Sequence, residues 1–144
     1  VNQIDATQLA THSAHFRALL SATPRGARLA RLLAVEWMRT REELPNGVTE
    51  AAAQLVAELA ANAATHGRVA GRSFRLVLLV REDALRIEVT DTRADALPRR
   101  MPPSPCADSG RGLLLVEALA DRWGVGLDAA PQKTVWAELD LPRP

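Results

Sequence analysis

Residues 58–67 read Glu58-Leu59-Ala60-Ala61-Asn62-Ala63-Ala64-Thr65-His66-Gly67. On a helix, Glu58 and Asn62 stand one turn apart, and Thr65 and His66 lie one turn further on. A carboxylate, an amide and two more polar groups then share one stripe. A carboxylate in such a line can accept a proton from a hydroxyl nucleophile. A neutral amide oxygen suits Mg²⁺ as a single hard ligand when other oxygens complete the shell. The neighbouring stripe of Leu55, Val56 and Leu59 is apolar and fit for burial. A polar line beside a core-facing line describes one wall of a site. It also describes the solvated face of an ordinary helix stopping at Gly67. Spacing alone leaves both open.

Those residues need elements to hold them. Residues 1–11 read as a loose leader and His15–Ala22 as a first strand. Thr23-Pro24 caps a helix running to Thr40, with Leu29, Leu32, Leu33 and Trp37 as its apolar face. Pro45-Asn46-Gly47 is a turn, and the helix carrying Glu58 begins near Val48 or Thr49. Phe74–Val80 and Leu85–Thr90 are strands joined by a tight hairpin at Glu82-Asp83. Four prolines make Ala94–Asp108 a loop without regular structure. Ser109-Gly110-Arg111-Gly112-Leu113 then opens a helix over Gly112–Ala120, with Ser109 as its N-cap. Arg122–Asp128 and Thr134–Leu141 supply two late strands. No repeat or second domain is visible, so residues 1–144 read as one α+β domain, a helical layer on one face of a sheet.

Taken in order, these pieces resemble the ATP-binding domain shared by sensor histidine kinases, gyrase, the Hsp90 chaperones and anti-sigma factor kinases. That family orders an Asn helix, an Asp at a strand end, a short glycine motif before a helix, and a Thr in a late strand. Here the counterparts are Asn62, Asp91, Gly110-Arg111-Gly112 and Thr134, and the resemblance covers roughly residues 15–141. The form Glu-Leu-x-x-Asn-Ala-x-x-His-Gly looks most like the stand-alone anti-sigma factor serine/threonine kinases.

The resemblance implies a Bergerat-type two-layer α/β sandwich, its sheet mixed but mostly antiparallel and covered on one face by helices, with ATP between the layers. It implies Glu58 as the general base for a serine or threonine hydroxyl and Asn62 as the Mg²⁺ ligand. Asp91 would accept a hydrogen bond from the adenine amino group, with Thr134 supporting the same edge directly or through water. Gly110, Arg111, Gly112 and Leu113 would meet the phosphates at a helix start. His66 would touch a phosphate or simply cap its helix. The partners implied are proteins: an antagonist that receives the phosphoryl group, a sigma factor, and a second copy of the chain, met through the first strand and helix region.

Each residue also has a plainer role. Glu58 can pair with an arginine, and Asn62 can bond backbone. Asp91 can open a turn, Thr134 can be a β-branched strand residue, and Gly-Arg-Gly can be a solvent-facing turn. One departure from the family is plain. Its Asp-x-Gly-x-Gly is here Asp91-Thr92-Arg93-Ala94-Asp95, without the glycines that let backbone approach a nucleotide closely.

Composition narrows the classes. The chain has 144 residues, 47% of them hydrophobic, enough for a single substantial core. The lone Cys106 cannot form an internal disulfide, suits a reducing cytoplasm, and sits in a Pro-rich setting unsuited to structural zinc. No apolar run approaches the roughly 20 residues of a membrane span and no signal-peptide pattern appears, so a cytoplasmic location is expected. A formal net charge of +1, 3% aromatics and a single lysine, Lys133, argue against nucleic acid and membrane surfaces as partners. Two function classes remain. One is an ATP-dependent protein kinase acting in partner switching. The other is a non-catalytic module of the same fold that holds ATP, or none, and binds partners.

Overall fold

The computed structural model describes residues 14–65, 71–91, 107–127 and 132–142, with side chains described at all of these except 65, 107–112 and 127. The expected leader, His66 and the stretch 92–106 lie outside them. The elements run β1 (Ala14–Ser21), α1 (Pro24–Arg39), α2 (Asn46–Thr65), β2 (Ser73–Val80), β3 (Ala84–Asp91), α3 (Ala107–Leu119), β4 (Arg122–Leu127) and β5 (Lys133–Asp140). The strands form one sheet in the order β1-β2-β3-β5-β4. Every described pairing is antiparallel. The β2–β3 hairpin turns where Glu82-Asp83 was expected, closed by the Arg81 amide donating to the Ala84 carbonyl at 2.8 Å.

Period-two alternation divides the sheet into two unlike faces. Leu76, Leu78 and Val80 of β2 meet Val89, Ile87 and Leu85 of β3 across the ladder, Phe74 extends the β2 row, and Ala137 and Leu139 of β5 continue the layer. Against this face α2 buries Ala52, Leu55, Val56, Leu59 and Ala60, including the apolar stripe expected from spacing. A fully buried leucine contributes about 1.5–3 kcal/mol over an exposed one, so this layer is the main source of cohesion. The helices and this sheet face make the two-layer α+β sandwich.

The opposite sheet face is a lattice of charge. Glu138 accepts from Arg81 at 3.2 Å, Arg86 at 3.0 Å and Arg122 at 3.0 Å. Arg86 also donates to Glu88 at 2.7 Å, and its guanidinium lies 4.4 Å from the centre of the Trp136 ring. Burial alone would raise the Glu138 carboxyl; the hydrogen bonds from Arg122 and Arg86 outweigh it and hold the carboxyl below the ordinary glutamate range.

Helix α1 departs from expectation on its apolar face. Thr23 caps it as expected, its hydroxyl accepting from the Gly26 amide at 3.0 Å. The residues it buries fully, however, are Gly26, Ala30, Ala34 and Met38; of the expected face Leu33 and Trp37 pack partly buried against the core, while Leu29 and Leu32 remain 44% and 62% exposed. Close approach is the cause. A methyl group on Gly26 would stand 1.8 Å from the Ser21 carbonyl oxygen. Small residues at four-residue spacing let this helix lie where leucines would hold it away. Two boundaries also shift: α2 starts at Asn46 rather than near Val48, and α3 at Ala107 rather than Gly112. Among the described residues, no helix is long and apolar enough to cross a membrane.

Candidate functional site

Connectivity gathers the chemically capable residues at one end of the sandwich. Only residues 66–72 join the last turn of α2 to the first residue of β2, so both ends lie together. Antiparallel pairing brings the end of β3 to the same place, with Asp91 opposite Phe74. The start of β5 joins them, with Lys133 opposite Asp91. Asn62 thus sits near the C-terminal end of α2, on the helix layer, at the end of the sheet that carries Asp91.

Glu58 and Asn62 are both half-buried, as a wall residue should be. Among the described residues, neither side chain has a hydrogen-bond or ion-pair partner. The pairing of Glu58 with an arginine is therefore not seen there. A carboxylate and an amide one turn apart, half-buried and uncommitted among the described residues, can both turn toward a ligand.

Asp91 is held by a residue that sequence reasoning missed. The Arg72 Nη2 donates to both carboxylate oxygens, at 3.2 and 3.1 Å. Both side chains are largely buried, 9% and 17% exposed. Arg72 is itself fixed from two directions. Gly71 turns the chain at φ +86°, a conformation that favours glycine. The Arg72 carbonyl then accepts from the Ala22 amide at 2.9 Å, tying this corner to the β1–α1 junction. A signal for Arg72 was present in the sequence. A hairpin turning at Glu82-Asp83 sets Phe74 against Asp91, and Arg72 lies two residues earlier on the same face.

Thr134 is placed differently from expectation. Its hydroxyl hydrogen-bonds that of Thr90 at 2.8 Å, and both residues are buried. Thr90 and Thr134 pair across the ladder on the sheet face turned away from the helices. Asp91 and Lys133 pair on the helix-covered face. Thr134 therefore does not join Asp91 at one edge, and the residue across from Asp91 is Lys133, which is exposed.

The glycine motif is also displaced. Gly110, Arg111 and Gly112 do not precede a helix; they lie inside α3, which starts at Ala107, so Ser109 is not its N-cap. Amides of Arg111 and Gly112 come after the first four of the helix and close helical bonds rather than facing outward. Leu113 follows at 38% exposure and Leu114 at 66%, while Val116 is fully buried. His66 lies outside the described residues.

No group of three or more His, Cys, Asp or Glu that could hold a metal exists among the described residues. A cation at this end would need most of its ligands from a bound molecule, with Asn62 as one protein oxygen. That is the regime in which Mg²⁺ binds together with phosphates. No curated protein is significantly similar to the chain. Residues 20–137 match the family described as the histidine kinase-like ATPase domain, a stretch that holds Glu58, Asn62, Asp91 and nearly the whole sheet. The chain belongs to the histidine kinase-like ATPase domain family.

Proposed function

We propose that the protein is an ATP-dependent serine/threonine kinase of the anti-sigma factor type, acting on a partner protein. One observation carries the reading: Glu58 and Asn62 stand one turn apart, half-buried and without partners among the described residues, at the end of the sandwich where Asp91 is fixed. The residues fit Mg·ATP. Asn62 would offer its amide oxygen to the cation, and Asp91 an acceptor to the base. Bound ATP would supply the γ-phosphoryl group for transfer to a hydroxyl. Glu58 would accept the proton of that hydroxyl, a contribution typically of 10²–10⁴-fold. Lys133 adds a positive charge at the same end.

Partner switching needs surfaces as well as a site. Among the described residues β1 is an edge strand, carrying Leu19 at 66% exposure, and Leu29 and Leu32 of α1 are exposed beside it in the chain. These support a homodimer through the β1 and α1 region; the cytoplasm as location, and the antagonist and a sigma factor as further partners, complete the proposal.

A second reading is favoured by two observations. Neither glycine follows Asp91, and Gly110-Arg111-Gly112 is wound into α3. On this reading the chain holds ATP, or none, and changes partners without transferring phosphate. Calorimetric titration with ATP and GTP, each with and without Mg²⁺, separates the possibilities. Mg-dependent binding of ATP, followed by [γ-³²P] label appearing on a co-purified partner, supports the kinase. Binding without transfer supports the module. No binding of any nucleotide removes ATP from both.

A further inference from the structure

The outer surface of α1 carries charge that the fold itself does not use. We propose that Arg28, Arg31 and Arg39, with Arg25 at their head, form a docking stripe for an acidic segment of a partner protein. The stripe lies on a different helix from Glu58 and Asn62, so the inference stands apart from any nucleotide chemistry.

Helical spacing lines the arginines up. Arg25, Arg28 and Arg31 follow one another at three-residue intervals, and Arg39 lies three turns beyond Arg28. At 1.5 Å per residue the run from Arg28 to Arg39 is about 16 Å long. All four are exposed, and none has a hydrogen-bond or ion-pair partner among the described residues. The one acid of α1, Glu36, shares the neighbouring line of Leu29 and Leu32 instead. Arginines that serve the fold are placed differently: Arg81, Arg86 and Arg122 each hold the Glu138 carboxylate on the open sheet face.

Left alone, the stripe is unfavourable to its own helix. Like charges three residues apart repel. Arg25 also stands in the first turn, where the helix dipole favours an anion, and α1 has no acid there. A row of carboxylates laid along the stripe removes the repulsion and complements the dipole. Guanidinium forks match carboxylates through paired hydrogen bonds. The extent of the surface selects the kind of polyanion. α2 packs beside α1 and carries Glu50 and Glu58 but no basic residue, so the positive strip ends at the boundary between the two helices. A nucleic-acid backbone or an anionic bilayer would spread past that boundary and meet carboxylates. The apolar side of α1 is committed to the core through Ala30, Ala34 and Met38, so it has no broad face to insert into lipid. A narrow acidic segment of a protein meets neither obstacle.

The test uses the whole chain and the fluorescence anisotropy of a labelled alanine–glutamate peptide of about 20 residues, long enough to cover the stripe. An alanine–lysine peptide of equal length, a DNA duplex and vesicles containing phosphatidylserine are compared with it. Wild type should bind the glutamate peptide and not the lysine peptide, and the affinity should fall at least about fivefold between about 50 and 300 mM salt. Arg28→Glu should weaken the glutamate peptide at least about fivefold, and Arg28→Glu with Arg31→Glu should also gain affinity for the lysine peptide. Arg17→Glu reverses another exposed, unpaired arginine, on β1, and should stay within about twofold of wild type. Equal losses in Arg28→Glu and Arg17→Glu overturn the proposal, because binding would then follow net charge alone. Wild type that ignores the glutamate peptide overturns it, as does tighter binding of DNA or vesicles at the same salt. Sedimentation without peptide should give the same mass for wild type and Arg28→Glu; a change would give the stripe to a second copy of the chain and overturn the proposal. Should a melt show that Arg28→Glu does not fold, Arg28→Gln takes its place with a loss in the same direction.

Discussion

Gly26→Ala tests how closely α1 is pressed onto the rest of the domain. The added methyl would lie 1.8 Å from the Ser21 carbonyl oxygen, 2.7 Å from its Oγ and 2.8 Å from its carbonyl carbon. The nearest of these is backbone, which cannot swing aside as a side chain can. The start of α1 must therefore retreat from the end of β1 by on the order of an ångström. Retreat loosens the Thr23 cap on the Gly26 amide, whose loss costs about 1 kcal/mol. It also disturbs the packing of Ala30, Ala34 and Met38, and overpacking of this sort costs about 1–3 kcal/mol. Alanine returns up to about 1 kcal/mol in helix propensity. The net expectation is a loss of about 2 kcal/mol, or about 4–8 °C in Tm for a chain of this size. Urea denaturation followed by circular dichroism reads it directly. Gly47→Ala is the control: it lies in the first turn of α2, nothing stands within 4 Å of its added methyl, and it should gain about 0.5–1 kcal/mol. If Gly26→Ala proves as stable as wild type, the close approach that explains the exposed leucines of α1 is refuted.

Other perturbations address the site and the two surfaces. Glu58→Ala should leave Mg·ATP binding within about twofold of wild type and slow transfer to a partner by at least ~100-fold; transfer at the wild-type rate would remove Glu58 as base. Asn62→Ala should weaken ATP binding in Mg²⁺ far more than in EDTA, and an equal loss in both would exclude ligation of the cation. Glu138 has a carboxyl pKa lower in the folded chain than in the unfolded one. Its contribution is therefore fully present above the unfolded value, near 4.5, and is lost as pH falls through the folded value. Glu138→Gln should cost about 2 kcal/mol at pH 7, discounted because Arg81 and Arg122 are 40% and 48% exposed, and should flatten the decline in Tm below pH 4.5. An unchanged acid slope would assign that decline to other carboxylates. Leu32→Glu, at a position 62% exposed, should leave the monomer within about 0.5 kcal/mol of wild type while shifting sedimentation toward the monomer. A dimer that survives would place the contact elsewhere.

What could be read from the residues followed from local patterns. The stripe of Leu55, Val56 and Leu59 marked the buried side of α2 because helical period fixes which residues share a face. The Glu82-Asp83 turn located the hairpin, since strand ends flank it directly. The family could be read because its counterparts stand in order along the chain. Pairings between distant segments could not. The β3–β5 register, which sets Lys133 opposite Asp91 and Thr134 opposite Thr90, joins residues some forty apart in the chain, and a slip of one residue reverses every side chain. On α1, Leu33 and Trp37 do pack against the core, but Leu29 and Leu32 were misplaced because hydrophobicity favours leucine, whereas the tightest contacts demand glycine and alanine. The start of α3 was misread because glycines in a first turn look like the loop before it.

Lys133 is the only lysine in the chain, exposed and directly across from Asp91. Leaving aside an α-amino group, amine-directed chemistry has a single target here. Coupling to a sensor surface or resin through primary amines would attach the protein by the end that carries its candidate site, and a binding assay built that way would obstruct what it measures. The same circumstance makes the residue a convenient reporter. An acylating reagent would mark one position, and protection of that position by added nucleotide would be read from a single peptide. Immobilisation is better made through a tag, with Lys133 reserved for labelling.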